Sequence, residues 1–143
     1  MKVRVDTSAL LAVMDRDDRF CAAAFQFWEQ QLSGPTVFLT SNYVVLETAA
    51  LIQNRLGTAA VSLLYEEILP VIRQEWIDPV LHQRAVAALL AARRRNISLV
   101  DYTSFERMRQ LGIRTAFAFD RHFAEQRFEV VPPGILCTSG DSF

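Results

Sequence analysis

Thr36-Val37-Phe38-Leu39-Thr40 is an unbroken apolar, β-branched run. Ser33-Gly34-Pro35 sets it off from the segment before, and a helical pattern follows from Asn42 to Arg55. A strand without polar alternation is covered on both faces, as strands of a parallel sheet are. Toward the N-terminus, Val3 to Val5 form a very short apolar run ending at Asp6, a strand feeding a turn. Ser8 to Met14 then read as a brief helix stopped by Asp15-Arg16-Asp17-Asp18. Residues 19–32 place Phe20, Ala23, Ala24, Phe27, Trp28 and Gln31 at three- and four-residue spacing, the mark of an amphipathic helix. Toward the C-terminus, Gly57 stops the 42–55 helix and Thr58 caps another that runs to about Leu69. Val71 to Ile77 follow Pro70 as a polar strand near a sheet edge, and Pro79 opens an alanine-rich helix ending at Arg93-Arg94-Arg95. Ser98 to Leu111 is a further helix, with Gly112 placed for a left-handed cap. Thr115 to Phe119 reads as a strand ending at Asp120, and Phe128 to Val131 as the last strand. Strands alternating with helices predict an α/β fold, a parallel sheet of about five strands with helices on both faces. Ligands in such folds sit beyond the carboxyl ends of the strands, near the point where the strand order reverses.

The 143 residues, 51% hydrophobic and 22% charged, describe one folded domain over 1–143, with residues 132–143 as a short tail. The composition excludes a disordered chain, and five Gly with five Pro exclude a fibrous one. Cys21 and Cys137 are too few for a disulfide framework and form no metal-ligand cluster, and a reducing cytoplasmic setting follows as the expectation. Charges interrupt every stretch that could reach the roughly 20 apolar residues of a membrane span, and Asp6 arrives before a signal peptide could form. A net charge of -1 gives no overall basic field for nucleic acid, although the cations are 14 Arg and a single Lys.

Four acids fall where the crevice is expected. Asp6 and Asp120 each end a strand, a position Asp also takes for turn chemistry. Glu47 shares a helical stripe with Val44, Thr48, Leu51 and Arg55; it either faces the site or is an exposed acid paired with an arginine. Asp101 stands three residues after Ser98 in a capping-box arrangement, unless Thr103 and Glu106 start the helix later. Carboxylates that converge repel one another and need a cation. Hard, oxygen-seeking Mg²⁺ or Mn²⁺ meets that need, lowers the pKa of bound water and neutralises charge growing on phosphorus oxygens. An acid-only site therefore favours phosphodiester hydrolysis over acyl transfer.

Asp6-Thr7-Ser8-Ala9, Glu47 in Val-Val-Leu-Glu-Thr, Ser98-Leu-Val-Asp101 and Ala116-Phe-Ala-Phe-Asp120-Arg-His-Phe123, in this order, resemble the PIN-domain ribonucleases, and the late segment resembles VapC-type toxins of that family. The resemblance spans residues 3 to about 131 and implies a three-layer α/β/α fold and Mg²⁺- or Mn²⁺-dependent cleavage of RNA. By it, Asp6, Glu47, Asp101 and Asp120 form the catalytic metal site, with Ser8 supporting it through hydrogen bonding. It also implies an antitoxin partner and a homodimer, using the helices near 42–69 together with the aromatic helix before them. Ala118 departs from the family pattern, which often has Thr or Ser two positions before the last acid, and this places a supporting hydrogen bond in question.

Several other signals have plainer readings. Arg93-Arg94-Arg95 either grips an RNA backbone or is a solvated helix end, and the second is favoured. Arg121 and His122, next to Asp120, are better placed to meet a phosphate; His122 is not needed as a base beside a metal ion. His82 reads as a surface residue. Phe20, Phe25, Phe27 and Trp28 are spaced for core or a subunit interface rather than for base stacking, and Tyr43 and Tyr65 for either core or interface. Two alternatives to the nuclease are an inactive PIN-like binding module and a phosphatase with Asp6 as covalent nucleophile. The phosphatase wants a second acid two residues on, where Ser8 stands.

Overall fold

The structure is a computed structural model that describes residues 1–134. The tail from residue 135 onward, and Cys137 with it, lies outside the described residues. Among the described residues, strands β1 (Lys2–Val5), β2 (Val37–Ser41), β3 (Arg73–Glu75), β4 (Thr115–Phe117) and β5 (Glu129–Val131) form one sheet. Its order is β3-β2-β1-β4-β5 and every neighbouring pair is parallel. β1 is central because Val3 and Val5 point to one face and Arg4 to the other, and all three are fully buried. The chain steps outward from β1 through β2 to the β3 edge, then returns to β4 on the other side, so the order reverses at β1.

Helices α1 (Thr7–Met14), α2 (Cys21–Leu32) and α3 (Asn42–Leu56) cover one face. Their Leu10, Ala24, Phe27, Val44 and Ile52 pack with Val3, Val5, Phe38 and Phe117. The rings there are tightly set: Phe27 lies 4.8 Å from Phe117 and Trp28 4.8 Å from Phe38. The aromatic residues of α2 are therefore mostly core, as their spacing indicated, but Phe25 is exposed. Helices α5 (Pro79–Ala92) and α6 (Leu99–Leu111) cover the other face, where Ala85, Phe105 and Met108 meet Leu39, Ala116 and Phe123. Helices on both sides of a parallel sheet make the three-layer α/β/α arrangement. No helix among the described residues is long and apolar enough to cross a membrane.

Some boundaries differ from the sequence reading. The segment from Thr58 is not one helix: α4 (Thr58–Leu63) passes into a π-turn over Leu64–Ile68 and a 3₁₀ turn over Leu69–Val71. Pro70 brings no N–H to an α-helical ladder, which accounts for the unwinding at that end. A short helix, α7 (His122–Glu125), follows Asp120 and was not foreseen. His82 is no free surface residue: its Nδ1 lies 2.7 Å from the Tyr43 hydroxyl and links α5 to the start of α3.

Candidate metal centre

Each acid is positioned by a local rule of backbone chemistry. Asp6 leaves β1 with its N–H donating to the Phe117 carbonyl of β4 (3.0 Å) and becomes the N-cap of α1. Its Oδ2 accepts from the Ser8 N–H at 3.1 Å and from the Ser8 hydroxyl at 2.6 Å. The same hydroxyl accepts the Phe119 N–H at 2.9 Å. Ser8 thereby ties the end of β1 to the chain leaving β4, which fixes Asp6 against the segment that carries Asp120. Asp120 turns the chain into α7, its Oδ1 accepting the His122 N–H at 2.9 Å.

Asp101 sits in a complete capping box. Ser98 Oγ accepts its N–H at 3.2 Å and its Oδ2 accepts the Ser98 N–H at 3.0 Å. The helix therefore starts at Leu99, and the later start at Thr103 is corrected: the Thr103 hydroxyl donates back to the Val100 carbonyl at 2.6 Å. Capping engages only one carboxylate oxygen of Asp101.

These three chain positions meet at the carboxyl end of β1 and β4, the reversal point of the sheet. One carboxylate oxygen from each of Asp6, Asp101 and Asp120 lies within 4.8 Å of the others. Asp6 is buried, and Asp101 and Asp120 are half-buried. Burial foremost, then repulsion from Asp6, raises the Asp101 carboxyl to about 6, with hydrogen bonds from Ser98 acting the other way. Burial and the charges of Asp6 and Asp101 push Asp120 up to about 8. Three acids held this closely are mutually unfavourable, and protons or a cation must relieve them. An all-carboxylate donor set of this spacing suits a hard divalent ion that prefers oxygen, as Mg²⁺ and Mn²⁺ do.

Glu47 lines the same crevice, a cleft of about 290 Å³ shared with Ser8, Leu51, Asn96, Ser98 and His122. It is half-buried and forms no ion pair among the described residues, so the reading as an acid paired with arginine is not seen. It stands outside the close group of three. Ala118 is buried among the apolar residues facing α5 and α6, and the hydrogen bonds recorded near the last acid come from Ser8 and the His122 N–H instead. The sequence reading missed that Asn96 and Thr7 line the cleft; no spacing rule marks them.

Residues 3–129 match the PIN domain family. The chain is 37% identical over 130 residues to the 23S rRNA-specific endonuclease VapC20 of Mycobacterium tuberculosis, covering 90% of this chain and 97% of the relative. The crystal structure of M. tuberculosis VapC20, described as a Sarcin-Ricin loop cleaving toxin, superposes with a TM-score of 0.79 at 35% identity. That superposition covers 88% of this chain and 95% of the other. FitAcB from Neisseria gonorrhoeae shares the fold at a TM-score of 0.65 and 15% identity, over 91% and 96% of the two chains. The matched span, the close relative and the reversal-point acids agree: this chain belongs to the PIN-domain family.

Proposed function

We propose that the protein is a metal-dependent endoribonuclease, the toxin of a toxin–antitoxin pair, acting on ribosomal RNA. The observation that carries this reading is the meeting of Asp6, Asp101 and Asp120 within 4.8 Å, in a chain 37% identical to a 23S rRNA-specific endonuclease. Asp6, Asp101 and Asp120 would hold Mg²⁺ or Mn²⁺, and Glu47, set further along the cleft, would help to hold the ion or its water. Bound there, the ion supplies an activated water and neutralises charge on the phosphate oxygens. Ser8 keeps Asp6 oriented, while Arg121 and His122 flank Asp120 where a phosphate would lie.

The test is cleavage of purified ribosomal RNA. Wild-type protein is expected to cut at a restricted set of phosphodiester bonds with Mn²⁺ or Mg²⁺ and to stop with chelator. Asp6→Asn and Asp120→Asn are expected to be inactive though folded. Normal cleavage by both variants would remove the site assignment, and an inactive wild type that binds neither ion would favour the non-catalytic binding module.

The antitoxin has a suitable seat. A groove of about 640 Å³ between α1, α2, α4 and the π-turn is lined by Val13, Met14, Phe25, Leu63 and Ile68, together with the charged Arg16 and Glu67. An amphipathic antitoxin helix fits such a groove through apolar anchors at helical spacing. Co-purification with the product of an adjacent small reading frame, lost on Phe25→Asp, is the expected result. A homodimer would draw on the helices near 42–69, where Leu46, Leu56 and Tyr65 are exposed.

A further inference from the structure

The loop between α5 and α6 forms one wall of the catalytic cleft, since Asn96 and Ser98 line it together with the acids. Immediately before Asn96 stand three consecutive arginines, and the structure gives them different surroundings. Arg94 donates from Nη1 to Glu125 Oε2 of α7 at 2.7 Å. Glu125 Oε2 also lies 3.8 Å from His122 Nδ1, one turn from the last acid. Arg93 and Arg95 are exposed, and neither has an ion pair or a side-chain hydrogen bond among the described residues. Arg93 also holds the left-handed conformation, φ 54°, ψ 34°, at the C-terminal cap of α5. Glycine takes that position without cost, whereas a side chain there is strained. Arg93 and Arg95 thus lead directly into the loop whose Asn96 and Ser98 line the cleft, with their charges unmatched, while Arg94 holds that loop to α7.

We infer that Arg93 and Arg95 bind the RNA backbone beside the cleft, whereas Arg94 is a strut that fixes their loop to α7 through Glu125. The inference rests on the endoribonuclease reading for its ligand. The chemistry is that of phosphate recognition: an arginine presents a rigid fork of donors that matches a phosphate's oxygens, and each phosphate neutralised releases counterions. Because Glu125 already satisfies Arg94, its charge adds little to that release.

The test measures binding of a labelled single-stranded oligoribonucleotide, over a series of salt concentrations, to protein carrying Asp120→Asn so that the RNA stays whole. Replacing Arg93 by Gly and Arg95 by Ala together is expected to make the slope of log K against log salt less negative by about 1.4, roughly 0.7 for each phosphate contact on a single strand. In the cleavage-competent protein the same pair should raise KM several-fold with kcat nearly held. Arg93→Gly relieves the left-handed strain, so the melting temperature should hold or rise, which separates lost binding from lost folding. Arg94→Ala should leave the salt slope unchanged, whereas Glu125→Gln, which leaves the Arg94 charge unpaired, should steepen it by up to about 0.7. An unchanged slope in the Arg93/Arg95 variant, or an equal flattening in Arg94→Ala, overturns the inference. If the wild type cuts RNA and the Arg93/Arg95 variant binds and cuts identically, only this inference falls. If the wild type cuts no RNA yet the slope still flattens by the stated amount, the nuclease reading falls and the phosphate contacts stand.

Discussion

Burial and the charges of Asp6 and Asp101 keep the Asp120 carboxyl protonated to about pH 8 in the metal-free chain, and burial with the charge of Asp6 keeps Asp101 protonated to about pH 6. Both values lie above the 3.8 of a free aspartate, so between these limits the folded state holds protons that the unfolded state has released. Their contribution to stability is complete below about pH 4 and is lost as pH rises through about 6 and then about 8. The urea midpoint of metal-free protein should therefore fall over that range, and Asp120→Asn should lessen the fall and raise the midpoint at pH 8. A midpoint that fell as steeply in Asp120→Asn as in the wild type would show that the acids are not crowded. Ser8 offers a second test at this scale, because its hydroxyl serves both Asp6 and the Phe119 N–H. Ser8→Ala strands that backbone donor and should cost about 1–3 kcal/mol in chemical denaturation, with a loss of cleavage larger than the stability change explains.

Among the elements, those with a chemical punctuation mark were legible in the sequence. Ser98 and Asp101 announce the start of α6, and Gly112, at φ 68°, its end. Ser98→Ala should lower stability by about 1 kcal/mol, read as a shifted denaturant midpoint. The strand beginning at Thr36 was readable because both its faces are covered. Other elements carried no such mark. α7 is four residues long, too short to show a period, and the split of the 58–69 segment depends on how Pro70 meets its surroundings. The bond from His82 to Tyr43 joins residues 39 apart in sequence, and no local pattern reports it. In the site, Asp6, Asp101 and Asp120 were legible as strand ends and a cap. Glu47 was legible only as an ambiguous member of a stripe, because helical periodicity gives a direction but not a distance.

The whole molecule contains one expensive feature that the apolar reading of Val3 to Val5 passed over. Arg4, fully buried at the centre of the sheet, pairs with Glu75 on the β3 edge, and Arg107 of α6 comes within 3.7 Å of the same carboxylate. Burial lowers the Arg4 pKa while Glu75 opposes the change. Arg4 Nε and Nη2 have no partner among the described residues, so its charge depends on Glu75. Glu75→Ala should cost about 3–5 kcal/mol, whereas Arg4→Met with Glu75→Leu should recover most of that loss; equal urea midpoints for the two would count against the pairing.

The same chain-wide convergence brings residues 6, 101 and 120 to one cleft, and the proposed function rests on it. Calorimetric titration of the metal-free protein with Mn²⁺ at pH 7, in two buffers of different ionisation enthalpy, tests this most directly. Binding at the acids must displace the proton that crowding holds there. The wild type should bind Mn²⁺ with release of about one proton, and Asp120→Asn should bind weakly with little release. Binding without proton release, or undiminished binding in Asp120→Asn, would contradict a metal centre built from these three carboxylates.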